Sequence, residues 1–178
     1  MDGKRLKVLI VSHELSPIKG SESAVGWNFV TRLCKYHDIT VLYASGSQFR
    51  PKSYVEVINE YFKSVPAIPG LNLINIDYPR ISRLISIINK PFANLTPVGL
   101  PALYYIGYAY WQRAACKAAK RLNNKEKFDI VHQLTQITFR EPGFLWKLGL
   151  PFFWGPTGGT SSFPEEFYRI LSGKSIWM

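Results

Sequence analysis

Lys7-Val-Leu-Ile-Val-Ser12 is a short, unbroken run rich in β-branched side chains. A strand of this kind has no polar face to turn to water. It must be covered on both sides, as strands of a parallel sheet are. The loop His13-Glu-Leu-Ser-Pro-Ile-Lys-Gly-Ser-Glu-Ser23 follows it. Val25/Gly26, Phe29/Val30 and Leu33/Cys34 then recur at four-residue spacing as one apolar helical stripe. Ser21 or Ser23 is the expected N-cap. Asp38-Ile-Thr-Val-Leu-Tyr-Ala44 is a second strand of the same type. Strand, loop, helix and strand in this order make a βαβ unit, whose crossover should be right-handed.

The alternation continues. Helical patterns occur around 54–62, over 81–90 and over about 100–122, with Asn123-Asn124 as the expected stop. Leu71–Ile76, 128–134 and 151–154 read as strands. A short helix is expected over 142–148, and another over 164–171. The pattern predicts an α/β fold: a Rossmann-like, doubly wound, mostly parallel sheet with helices on both faces. The 178 residues suffice for one such domain, and with 47% hydrophobic and 19% charged residues the chain is not a disordered one.

The charge of +10 is concentrated. Residues 1–79 carry net +2 and residues 128–178 net zero, whereas residues 80–127 hold nine basic and one acidic residue. This central segment also carries Tyr104, Tyr105, Tyr108, Tyr110 and Trp111. It reads either as a solvated helix face beside a buried aromatic face, or as a surface for anionic lipid headgroups or a phosphorylated acceptor. No nucleic-acid motif accompanies the charge, so nucleic acid is not the expected partner. The weakly charged stretch 91–112 is interrupted by Pro97 and Pro101 and does not read as membrane-spanning. The apolar run Val8 to Val11 is too short for a secretion signal. Cys34 and Cys116 have neither disulfide-framework nor zinc spacing, and are expected to be buried free thiols in a reduced, cytoplasmic compartment.

In sheets of this class ligands bind at the carboxyl ends of the strands. Three loops leave those ends. The first carries Lys19, Gly20, Ser21 and Glu22 before a helix N-terminus, which suits an anion. It lacks both the Gly-x-Gly-x-x-Gly and the Gly-x4-Gly-Lys-Ser/Thr pattern. The second places His132 at or near a strand end, where an imidazole can donate to a hydroxyl or act as acid or base. The third, Gly155-Pro-Thr-Gly-Gly159, allows a tight turn with backbone N–H groups exposed. A plain structural role is open for each of them.

Together, His13-Glu-Leu-Ser-Pro-Ile-Lys-Gly-Ser-Glu-Ser-Ala-Val-Gly-Trp-Asn28, Lys35-Tyr-His-Asp-Ile-Thr-Val41, Phe128-Asp-Ile-Val-His132, Thr138-Phe-Arg140 and Trp154-Gly-Pro-Thr-Gly-Gly159 resemble the N-terminal half of a GT-B glycosyltransferase of glycosyltransferase family 4. The resemblance implies a two-domain retaining enzyme with its active site in the cleft between the domains. It further implies metal independence, a nucleotide-sugar donor held by a C-terminal domain, and a glycan or lipid-linked acceptor held by the N-terminal one. It assigns a catalytic place to His132, and substrate contacts to Gly20, Ser21, Glu22, Thr135, Arg140, Gly158 and Gly159. The family's Glu-x7-Glu belongs to the donor domain. The same spacing between Glu14 and Glu22 lies in the first loop and reads as coincidence. Residues 1–178 are then expected to be the acceptor-binding domain alone, without its donor domain and inactive by itself. The expected location is cytoplasmic, with a peripheral contact at the inner face of the membrane through residues 80–127 as an open option. A stand-alone phosphate-binding module is the alternative.

Overall fold

A computed structural model describes residues 4–48, 52–96 and 98–159. The helix expected over 164–171 lies outside the described residues. Five strands, β1 (Lys7–Ser12), β2 (Asp38–Ala44), β3 (Leu71–Ile76), β4 (Ile130–Thr135) and β5 (Phe152–Trp154), form one sheet in the order β3-β2-β1-β4-β5. Every pairing is parallel. From β1 the chain steps outward to β2 and β3, then returns to the other side of β1 for β4 and β5. The direction of winding therefore reverses between β1 and β4.

Among the described residues there are four α-helices, α1 (Glu22–Leu33), α2 (Ser53–Ser64), α3 (Arg80–Asn89) and α4 (Pro101–Glu126); α1, α2 and α4 cover the sheet, and α3 packs on α4. Side chains alternate along each strand and so supply two cores. Val8, Ile10, Ile39 and Val41 pack with Trp27 and Val30 of α1 and Tyr54 and Ile58 of α2. Leu9, Val11, Leu42 and Val131 pack on the other face with Tyr108, Trp111, Ala115 and Ala119 of α4. The expected Rossmann-like α/β architecture, with helices on both faces, is what the chain adopts. Among the described residues no helix is long and apolar enough to cross a membrane.

Gly26 fixes how closely α1 approaches the sheet. A Cβ there would stand 2.6 Å from both the Glu14 carbonyl and Ser12 Oγ, so only glycine fits. The helix's far end is held by Arg5, which donates to the carbonyls of Cys34, Lys35 and His37 at 2.9–3.1 Å and to Asp38 Oδ1 at 3.1 Å. A cation there also complements the helix dipole.

Several local expectations need correction. The buried stripe of α1 is Ser23, Gly26, Trp27 and Val30, while Val25 and Phe29 are exposed. Ser21 occupies the N-cap position, but with φ 59° and no side-chain cap bond. Helix α4 runs through Asn123-Asn124 to Glu126. Asn123 does not stop it; its Oδ1 accepts from Phe128 N at 2.9 Å and closes the turn after Lys127, the left-handed residue. Only Leu145–Leu148 of the stretch 142–148 is helical, as a 3-10 turn. Cys34 is buried, whereas Cys116 is half-buried; both are free.

Candidate functional site at the winding reversal

The crevice where the winding reverses is the place an open α/β sheet offers to a ligand. Here the reversal falls between the ends of β1 and β4. Thr135 joins these ends. Its Oγ1 accepts from Glu14 N at 3.0 Å and lies 3.1 Å from Ser12 Oγ, while its carbonyl accepts from His13 N at 3.2 Å. Thr135 is wholly buried, so its side chain holds the floor of the crevice.

The loop after β1 then turns toward the loop after β4. Glu22 Oε1 accepts from Ile137 N at 3.0 Å, and Ser23 Oγ donates to Glu14 Oε2 at 3.1 Å. Two carboxylates thus share the mouth of the crevice. Partial burial pushes the Glu22 carboxyl above its ordinary range and the charge of Glu14 adds to this, while the Ile137 N–H opposes it. The left-handed residue here is Ser21, not Gly20, around which a side chain would meet open space. Lys19 Nζ rests 4.9 Å from the centre of the Tyr54 ring.

The loop after β5 closes the group. A Cβ at Gly158 would lie 3.5 Å from the Ile137 side chain, and one at Gly159 3.2 Å from the Phe139 ring. Arg140 is exposed, with its guanidinium 5.2 Å from the Phe139 ring centre, and makes no ion pair among the described residues. Gly20, Ser21, Glu22, Thr135, Arg140, Gly158 and Gly159 therefore belong to three neighbouring loops. Compared with known proteins, the chain matches no family model and no curated protein.

His132 lies below these loops and touches only the first residue of the third, Gly155. It is in mid-strand, in register with Ile10 and Phe153, because β4 continues past it to Thr135. Three residues of strand, about 10 Å, separate it from the crevice floor. Its Nε2 donates to the Gly155 carbonyl at 2.7 Å, and its ring meets Phe29 and Phe153 edge-on. Burial pushes its pKa down, partly opposed by the Gly155 bond.

Glu14, Gln136 and Tyr104 are site residues that the sequence did not single out for this purpose. Gln136, next to Thr135 in the chain, donates from Nε2 to Tyr104 Oη at 2.7 Å. Burial raises the Tyr104 pKa and keeps the phenol neutral. The Glu14–Glu22 spacing was the only available sign of the carboxylate pair. Nothing in the sequence joins Tyr104 to Gln136. Among the described residues no three of His, Cys, Asp and Glu come together as a metal site.

Proposed function

We propose that this chain is the acceptor-binding domain of a retaining, metal-independent glycosyltransferase of GT-B type. In this reading it holds a glycan or lipid-linked acceptor at the inner membrane face, while a second domain presents a nucleotide-sugar donor across the cleft. The observation that carries it is the pair Glu14 and Glu22 at the crevice mouth, beside the Gln136 amide. Carboxylates and amides accept and donate to sugar hydroxyls. The same two carboxylates repel a bare phosphate, which counts against the stand-alone phosphate module. Gly20, Ser21, Gly158 and Gly159 bring backbone close to the ligand, and Arg140 supplies a cation for the donor's phosphates. His132 acts through the Gly155 carbonyl, holding the glycine loop against Ile137.

Amide NMR titration of the chain with a panel of oligosaccharides tests this. The expected result is shifts at Glu22 and Ile137 that Glu22→Ala abolishes while the rest of the spectrum is kept. If no saccharide shifts these amides and phosphate or a nucleotide does, the module reading replaces it.

A further inference from the structure

Helix α3 is turned inside out. The residues it buries are polar: Ser82 Oγ donates to the Gly107 carbonyl at 2.9 Å, and Asn89 Nδ2 donates to the Val98 carbonyl at 2.8 Å. Asn89 Oδ1 also accepts from Leu100 N at 2.8 Å, and the half-buried Ser86 donates to the Gln48 carbonyl at 2.6 Å. The residues it exposes are aliphatic: Ile81 is 44% exposed, Leu84 55%, Ile87 68% and Ile88 52%. Phe92 and Leu95 extend the same apolar row beyond the helix and are also exposed. Helical spacing sets Ile81, Leu84 and Ile88 on one face. A water-facing helix shows the opposite polarity.

The surroundings are cationic. Arg80, Arg83 and Lys90 flank the row, and no acidic residue occurs between Asp77 and Glu126. Arg83 pairs with Asp77 at 3.8 Å, whereas Arg80 and Lys90 have no ion pair among the described residues. Beside α3 lies a cavity of about 430 Å³ lined by Lys52, Arg83, Lys90, Ser45 and Ser86, and also by Asp77, which neutralises Arg83, so Lys52 and Lys90 supply its net positive charge. It is of the chemistry that seats a phosphate headgroup. Apolar side chains in a row with cations along their flank match the acyl boundary and anionic headgroups of a bilayer surface.

We propose that the outer face of α3, continued by Phe92 and Leu95, docks this chain on an anionic lipid surface. The inference assigns the membrane contact to one helix and needs nothing from the sugar-transfer reading. The other six basic residues of the central segment run from Arg113, at the middle of α4, to Lys127 at its cap. All but Arg113 lie toward the end of α4 that leads into β4, and the proposal gives none of them a part in docking.

Flotation of the chain with phosphatidylglycerol–phosphatidylcholine vesicles, and with phosphatidylcholine alone, tests it. The wild type should float only with the anionic vesicles. Leu84→Asp with Ile88→Asp should lose more than about tenfold in partition, since both place a charge in the acyl boundary. Arg80→Gln with Lys90→Gln should lose about thirtyfold, and Lys117→Gln with Lys125→Gln on α4 less than about twofold. Circular dichroism monitors the fold, and Ile87→Ser replaces the aspartate pair if that pair fails to fold. No flotation of the wild type overturns the proposal, as does an equal loss from the α4 pair. Self-association broken by Leu84→Asp, without vesicle binding, also overturns it and gives the face to a second copy. Flotation without saccharide binding keeps the proposal and breaks the transferase reading instead; saccharide binding without flotation does the reverse.

Discussion

Helices α1 and α3 are of similar length and opposite construction. α1 lies on the sheet and buries Trp27 and Val30 among aliphatic strand residues. α3 lies on α4 and buries Ser82 and Asn89, leaving Ile81, Leu84, Ile87 and Ile88 outside and Ile85 half-buried. The two layers around the sheet follow suit. The α1–α2 layer is held by apolar burial. The layer bearing α3 and α4 is threaded with hydrogen-bonded polar groups, among them His13, Gln48, Ser82, Asn89 and Gln112. A helix that must pack on a hydrophobic sheet cannot afford the second pattern. A helix that packs by hydrogen bonds on another helix is free to offer its apolar side to something else.

The sharpest way to break this contrast is Trp27→Ala. Trp27 is buried with Tyr61 edge-on at 5.1 Å, and its removal leaves a cavity in the apolar layer. The expected loss is about 3–5 kcal/mol, read by urea unfolding. A loss comparable to that of an α3 surface substitution would show that α1 is not anchored by burial.

Acid should act next most strongly, and in the other layer. His13 is fully buried, its Nε2 2.6 Å from Tyr78 Oη and its ring edge-on to Tyr108 and Trp111. Burial lowers its pKa from 6.5 to about 3. The unfolded chain binds this proton first, so the contribution is complete above the unfolded value and is lost as pH falls from 6.5 toward 3. At about pH 5 the loss is about 2 kcal/mol. His132 has the same sign. Glu22 and Glu141, with raised carboxyl pKa values, have the opposite sign: their contribution is present at low pH and is lost as pH rises. Unfolding midpoints across this range should therefore fall with acid in the wild type and fall less in His13→Gln. Equal slopes would remove His13 as the acid-sensitive group.

The strands of the sheet were legible in the sequence, because short apolar runs bounded by turn residues have few other uses. Helix α3 was legible only as a helix. Its periodicity is the same whichever face is buried, and only the Gly107 and Val98 carbonyls, far along the chain, show that the serine and asparagine face turns inward. The aromatic cluster divided in a similar way: Tyr104, Tyr108 and Trp111 are buried, and Tyr105 is exposed. At the candidate site, the loops after β1 and β5 were visible through their glycines. The carboxylate pair is visible in the sequence only as a Glu-x7-Glu spacing within the first loop, which reads as coincidence because that motif belongs to a donor domain. His132 looked like a strand-end residue because the run 128–134 conceals the pairing that extends β4 to Thr135.

The smallest expected effect lies within α3 itself. Ser82→Ala leaves the buried Gly107 carbonyl without its 2.9 Å donor, at a cost of about 1–2 kcal/mol. Leu84→Ser, two residues on, removes a larger side chain from an exposed position and should change stability by no more than about 0.5 kcal/mol. In an ordinary amphipathic helix the order is reversed, because the leucine carries the packing and the serine faces water. Urea midpoints for the two variants decide the matter. A Leu84→Ser loss exceeding that of Ser82→Ala would mean that the aliphatic face is already covered within the folded chain, and the contrast with α1 would disappear.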